Sequence, residues 1–411
     1  MSLGNLFRRL SFADWPPGAA KALVILSLTM IIAWGTLFYG ITLIGPRIMA
    51  ETGWSKTWIY GAFSLATLTS GLVAPRIGAL IDKSGGRHVM AIGSVVGGLG
   101  YLLLAYANSL PMLYIAYAVI GLGMAGSLYD PAFASLARMA GHKARISITM
   151  LTLGGGLAST VFWPLGLWLL SFMDWRELCL VYAVLNGVVC AMLHLVGISD
   201  TKAEPAASGT AEPTSPHGTV PAVLRGKVIF LLALIFMSYG LVSNGMSVHI
   251  TTLLGALGLT EAQAVTVGTL IGPSQSAGRL IELMLGGAYP VMRLGYVATG
   301  TLPFAFGALS LTGGAVIGVV VFAVLYGISN GLVTIARGVI TLGLLGRENY
   351  GRTLGTIAAP ILAAKSLAPM AFAVIIDKAG AGVALSVMAA CGLVAFAGMV
   401  ALGLLVRKAA A

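Results

Sequence analysis

Charge is what this sequence lacks. Only 9% of its 411 residues are Asp, Glu, Lys or Arg, against about a quarter in a soluble globular protein. That scarcity excludes a water-facing surface over most of the chain. Cysteine is also sparse. The three cysteines, Cys179, Cys190 and Cys391, stand in apolar runs without metal-ligand spacing. They read as core residues, which excludes a disulfide scaffold and a zinc site. No nucleotide-binding glycine loop, HExxH pair, paired-cysteine motif or soluble output domain is present. The expectation is therefore no cofactor, no metal and no catalytic residues: the chain is not an enzyme. A signal peptide is not apparent either. Arg8 and Arg9 precede a first apolar run too long for a signal core.

What is present is hydrophobic length. The composition is 58% hydrophobic, and a bilayer crossing takes ~20 mostly apolar residues. Twelve such runs stand out, near 22–45, 57–80, 88–107, 111–136, 146–171, 176–198, 227–250, 263–286, 294–313, 316–342, 353–376 and 381–406. Without water each must satisfy its own backbone, so each reads as a helix. The fold class is all-α integral membrane. Fifty-five glycines fit it, because small residues let helices approach closely, as in "GSVVG" at Gly93 and Gly97.

The net charge of +11 invites a nucleic-acid reading, but its distribution argues for topology instead. With a cytoplasmic N-terminus, sixteen Lys and Arg lie inside, four outside and four within spans. The positive-inside rule then puts both termini in the cytoplasm of a multi-pass protein of a bacterial-type inner membrane. Nucleic acid is set aside as a partner.

Residues 199–225 contain a Pro-, Ser-, Thr-, Gly- and Ala-rich stretch without apolar period, the mark of a flexible cytoplasmic linker. Six spans lie on each side, giving bundles at 1–198 and 226–411. The halves share a faint pattern: laying Arg76 on Arg279 brings Val89-Met90 near Val291-Met292 and Gly93 near Gly295. Two pseudo-symmetric six-helix repeats account for this.

Between the second and third spans stands "GALIDKSGGRHVM". Gly78, Asp82, Lys83, Gly85 and Arg87 resemble the signature loop of the Major Facilitator Superfamily. One extra residue, Gly86, precedes the arginine, a form similar to the monocarboxylate porter and oxalate:formate antiporter branch. "GHKARISITMLTLGGGLASTVFWP" also resembles that branch's fifth span. By its chemistry, Asp82 stands near a helix end, with Lys83 and Arg87 offering charge for a latch against neighbouring helix ends. The alternative is a solvated loop.

Six charges fall within spans: Arg76, Asp130, Arg279, Glu282, Arg337 and Lys365. Such groups usually face the bundle interior and mark the transport path. Their positive surplus is costly unless an anion offsets it. Gln275, Arg279 and Glu282 share one helix face by spacing. The family resemblance implies that Arg279 and Lys365 occupy places similar to the two cations that bind anion in the oxalate:formate antiporter. It also puts Gln275 where monocarboxylate porters carry a proton-coupling aspartate, and the first span lacks those porters' lysine and acid. Proton coupling by their route is thereby in question. The alternatives are an Arg279–Glu282 pair and a Lys365 that snorkels to the interface.

In the tenth span Tyr326, Asn330, Thr334 and Arg337 form a polar stripe. Tyr326 and Asn330, with Gln275, join the expected substrate-binding set. Asp130, Glu282, Arg337 and His249 are the coupling or gating candidates, with solvation or packing as the plain alternatives. The fifth-span face Thr149, Thr152, Gly156 and Trp163 can add hydroxyls and a ring to a cavity, or simply pack.

The expected function is secondary transport of a small organic anion, a mono- or dicarboxylate, by proton symport or anion exchange through alternating access. The expected partners are that anion, protons and membrane lipid, with the chain a monomer. The alternatives are an efflux pump for a drug or amphipathic metabolite and, from another class, a membrane-embedded sensor or enzyme. Two tests follow from the sequence. A cysteine placed at Ser208 should escape an impermeant thiol reagent applied to intact cells, and efficient labelling would overturn the topology. If Asp130 and Arg337 are a charge pair, the double variant Asp130→Asn/Arg337→Gln should transport better than either single variant; strictly additive losses would exclude the pair.

Overall fold

The computed structural model describes residues 15–200, 218–285, 289–312 and 314–410. Among these every regular element is a helix. The first six columns are α1 (Ala19–Thr52), α2 (Lys56–Ser84), α3 (Gly86–Ala105), α4 (Leu110–Met139), α5 (Gly141–Leu169) and α6 (Trp175–Gly197). The rest are α7 (Ala222–Gly255), α8 (Glu261–Leu285), α9 (Val291–Thr312), α10 (Val316–Leu345), α11 (Tyr350–Ala379) and α12 (Ala381–Ala410). Among the described residues, eleven helices are long and apolar enough to cross a bilayer. The remaining column, α8, has the length but carries Gln263, Ser274, Gln275, Ser276, Arg279 and Glu282. The helix that falls short on hydropathy is therefore the one with the two most buried charges.

The chain forms two compact units. One comprises the residues up to Pro213 together with Arg347–Ala359; the other comprises Thr214–Gly346 and Pro360–Ala411. The boundary within α11 falls at Pro360. Proline has no N–H to give its helix, so this is a natural place for a long helix to change partners.

In the first unit glycine sets the helix spacing. A Cβ on Gly93 would lie 2.7 Å from Gly126 Cα, and one on Gly100 would lie 2.6 Å from Ile120. The α3–α4 crossing is therefore built backbone to backbone, as the small-residue pattern predicts. Polar groups inside the unit are satisfied locally. α1 and α6 each contain a π segment, Trp34–Phe38 and Leu185–Cys190. Asn186 joins them, donating to Thr36 Oγ1 at 2.9 Å and to Tyr182 O at 2.8 Å, while Tyr101 donates to Thr36 O at 2.5 Å. Buried His194 sits between Ser94 Oγ (3.1 Å) and Thr29 Oγ1 (3.0 Å). These bonds replace the water the bilayer cannot supply.

Helix ends need the same care, because their last N–H and C=O groups lack helical partners. The loop at 78–87 supplies several of those partners. Asp82 accepts from the backbone N–H of Gly351 and of Arg352, both at 2.8 Å, and so caps the start of α11. The residue before α11, Asn349, is left-handed with φ 53°. The cap therefore comes from a remote carboxylate, whose charge also suits the helix dipole. A Cβ on Gly78 would strike the Gly351 carbonyl, and one on Gly355 would strike Ala74 O. Ala74 and Gly78 thus face Gly351 and Gly355, small against small. Asp200 performs the matching task for α3, accepting from Arg87 N at 3.2 Å. Gly85, at φ 85°, leaves the space that this carboxylate fills. The charged strap is Arg138, which donates to Asp82 O at 2.7 Å and to Asp200 O at 3.1 and 3.2 Å. The side chains of Lys83 and Arg87, expected to latch the loop, are exposed.

The linker expected at 199–225 lies mostly outside the described residues, since 201–217 are not among them. Its last residues dock on α10 in the second unit. Thr219 and Val220 donate to Leu344 O at 3.1 and 3.2 Å, and Arg225 donates to Leu345 O at 2.9 Å. Orphan carbonyls at the end of α10 are satisfied in this way.

The Asp82 cap predicts a stability loss of about 1 kcal/mol in Asp82→Ala, read as a lower thermal midpoint of the purified protein. Gly78→Leu should lower it further by forcing α2 from α11, and Lys83→Ala should leave it unchanged. A wild-type midpoint in Asp82→Ala would exclude the capping role.

Candidate functional site

The candidate residues of the second unit are brought together by one close crossing, α8 on α10. Gly327 and Gly331 stand one turn apart on α10. A Cβ on Gly327 would lie 2.6 Å from Ile271 O, and one on Gly331 would collide with Gln275 O. On the other helix, a Cβ on Gly278 would lie 3.2 Å from Ile328 Cα. This contact sets Asn330 beside Gln275, with Asn330 Nδ2 donating to Gln275 Oε1 at 3.5 Å. Tyr239 of α7 donates to Asn330 Oδ1 at 3.4 Å. Buried Tyr326 donates to Ser243 O at 3.3 Å. These bonds are long against the usual ~2.7–3.0 Å. The amide and phenol groups are loosely satisfied.

Two charges lie deep on α8. Arg279 is 4% exposed and Glu282 1%. Their neighbours Leu280 and Ile281 are each 51% exposed. The helix is thus inverted relative to one in water, with charge turned inward and apolar groups outward, as in a membrane span with a polar interior. Glu282 accepts a hydrogen bond from Tyr289, whose hydroxyl lies beyond the end of α8. The sequence reading missed Tyr289, because it stands in a short turn without periodicity.

Lys365 is half-buried on α11, where its stem packs on Gly240 of α7: a Cβ there would lie 3.4 Å from Lys365 Cγ. Asn244 donates to Lys365 O at 2.5 Å. One turn along, His249 Nε2 lies 2.9 Å from Pro369 O. The acceptor is a carbonyl, so Nε2 carries the proton in this contact. Gly240, Asn244 and His249 of α7 each meet α11, while the Ser243 carbonyl accepts from Tyr326 of α10.

The other candidates are more scattered. Arg337 is half-buried on α10, and Thr341 donates to its carbonyl at 2.6 Å. Asp130 is half-buried in the first turn of the helical segment Tyr129–Met139, in the first unit. Arg76 is exposed. Thr149 and Thr152 spend their hydroxyls on their own helix, donating to Arg145 O at 3.2 Å and to Thr149 O at 2.8 Å. Trp163 packs edge-on against Tyr39, with ring centroids 5.8 Å apart. Among the described residues, no group of three His, Cys, Asp or Glu side chains is placed to hold a metal.

The internal repeat can be read in a second register. Arg76 is exposed while Arg279 is buried, so these two arginines stand in different surroundings. The second register sets "GALID" at 78–82 against "GRLIE" at 278–282. Gly78, Leu80, Ile81 and Asp82 then match Gly278, Leu280, Ile281 and Glu282, and a two-residue insertion follows before Val291-Met292. Glu282 becomes the second-half counterpart of Asp82. Arg279 falls on Ala79, so this cation belongs to the second half alone.

Comparisons with known proteins agree with this architecture. A family profile described as Major Facilitator Superfamily matches residues 23–289. Monocarboxylate transporter 4 of Rattus norvegicus is 25% identical over 318 residues, which cover 74% of this chain and 65% of that protein. The chain thus spans less than two thirds of that relative's length. Multidrug resistance protein MdtH of Aeromonas hydrophila subsp. hydrophila is 32% identical over 206 residues, 49% of each chain. Among solved structures, the human organic anion transporter MFSD10 shares the fold with a TM-score of 0.72 at 15% identity, covering 93% of this chain and 100% of that one. With twelve long helices in two units and a profile match over more than half its length, the chain belongs to the Major Facilitator Superfamily of multi-pass membrane transporters.

Proposed function

We propose that this transporter carries a small organic anion, a mono- or dicarboxylate, by alternating access, with Arg279 as its principal anion-binding group. One observation carries the reading: a guanidinium 4% exposed, on the inward face of the least apolar membrane helix, at a position where the first half has alanine. Burying such a cation is costly, and an anion that visits it recovers part of that cost. A planar guanidinium grips a carboxylate through two parallel hydrogen bonds. Gln275, one turn before Arg279 on the same helix, and Asn330 and Tyr326 on the neighbouring α10 add neutral donors, and Lys365 is the second cation. The name of the rat relative, a monocarboxylate transporter, and that of the human structure, an organic anion transporter, support this class of cargo.

Coupling is by anion exchange or by proton symport. Gln275 cannot titrate, so a proton route would use Asp130, Glu282 or His249. The reading places the protein in a bacterial-type inner membrane with both termini cytoplasmic. The competing reading is efflux of an amphipathic compound, which the match to MdtH favours. In that case Arg279 and Glu282 hold the helix together, and the cargo need carry no negative charge.

Carboxylate binding to purified protein separates the two. Arg279→Gln should weaken affinity about 30-fold, or about 2 kcal/mol, the contribution of hydrogen bonds to a charged group. Arg279→Lys keeps charge without the fork and should lose less. Lys365→Gln should weaken dicarboxylates more than monocarboxylates. Unchanged calorimetric affinity across a carboxylate panel, in variants that keep the wild-type thermal midpoint, would reject the anion site and favour efflux.

A further inference from the structure

Among the described residues, a cleft opens at helix ends in each unit. In the first unit a cleft of about 820 Å³ lies between Lys21, Arg87 and residues 195–200. An acid already lines it, since the Asp200 carboxylate caps α3 there. The second unit has a smaller cleft of about 290 Å³, between the start of α9 and the end of α12. Its charged lining is two arginines, Arg293 and Arg407, and no acid. Both side chains are exposed, and neither forms a hydrogen bond or ion pair with a described residue.

The wall between the arginines is apolar, formed by Met292, Val406 and the ring of Tyr296. The cleft depends on Gly403, because any Cβ there would collide with the Tyr296 hydroxyl. Beyond it, Val297, Val400 and Leu404 are 52%, 37% and 54% exposed, continuing an apolar surface along the same two helices. Two cations at the mouth, a phenol on the wall and a greasy track leading away define an amphipathic ligand with an anionic head. The place is the end of two membrane helices, where lipid phosphates lie, and basic pockets of this kind hold anionic head groups.

We propose that the α9–α12 cleft is a binding site for an anionic phospholipid. Its phosphodiester sits between Arg293 and Arg407, and its acyl chains run along Val297, Val400 and Leu404. Each guanidinium offers a planar fork to the phosphate oxygens. A volume near 290 Å³ suits a head group rather than a whole lipid, being at the lower limit of ~300 Å³ for small-molecule pockets. The site stands apart from Arg279 and Lys365, and it holds whichever cargo the protein carries.

The test is lipid retention by the full-length purified protein in native mass spectrometry, with phosphatidylglycerol, phosphatidylcholine and glycerol 3-phosphate as probes. Phosphatidylglycerol should be retained over phosphatidylcholine, and glycerol 3-phosphate should not compete at equal concentration. Arg293→Gln/Arg407→Gln should weaken phosphatidylglycerol binding about 30-fold, at about fivefold for each arginine near an anionic head group. Arg293→Lys/Arg407→Lys should restore most of it. Lys408→Gln, which removes an exposed cation outside the cleft, should change it less than about twofold. Equal retention of the two lipids, effective competition by glycerol 3-phosphate, or equal loss in Lys408→Gln and the double variant would each overturn the proposal. The readout does not involve transport, so its failure would leave the anion-cargo reading untouched.

Discussion

The bilayer offers no water to a peptide group, and the architecture follows from that constraint. A lone N–H or C=O in hydrocarbon costs several kcal/mol, so the described chain is helical and the work lies in finishing helix ends and packing helices closely. The ends are finished by distant residues. Asp82 caps α11 across 269 positions of sequence, and Asp200 caps α3 across 113. Arg138 straps both carboxylate-bearing segments through their backbone carbonyls. Close packing falls to glycine, with Gly78 against Gly351, Gly93 against Gly126 and Gly331 against Gln275. Where the helical ladder widens into π segments, the side chains of Asn186 and Tyr101 bond at that level.

The same constraint gives buried charge its meaning. A membrane helix can carry lysine or arginine cheaply near its ends, where the stem snorkels. Arg279 and Glu282 are instead buried on a helix whose exposed face is Leu280 and Ile281. The register that aligns 278–282 with 78–82 separates their roles. Glu282 continues a feature of both halves, an acid near the end of the second helix of each repeat. Arg279 has no such counterpart. A residue that breaks an internal repeat, at a cost to stability, is where cargo chemistry is to be sought.

Burial separates side chains that sequence treats alike. Arg76 and Arg279 are both arginines within apolar runs, yet one is exposed and the other nearly inaccessible. Lys83 and Arg87 carry the charge of the signature loop, but its hydrogen bonds run through Asp82, Asp200 and backbone N–H groups. Tyr326 and Asn330 were legible because a polar stripe at helical spacing is rare in an apolar run. Tyr289 was not, because a lone tyrosine in a turn has no pattern to betray it.

The sequence by itself determined the class of molecule: twelve long apolar runs, a polar interruption between the sixth and seventh, and a loop bearing the superfamily's residues. Those are properties of composition and period, and they act locally along the chain. Only the tertiary structure decided which helix each end is capped by, which arginine is buried, and where α11 changes units at Pro360. Each of these depends on contacts between segments tens to hundreds of residues apart. A hydropathy pattern says which face avoids water, but it carries no information about the helix that will cover that face.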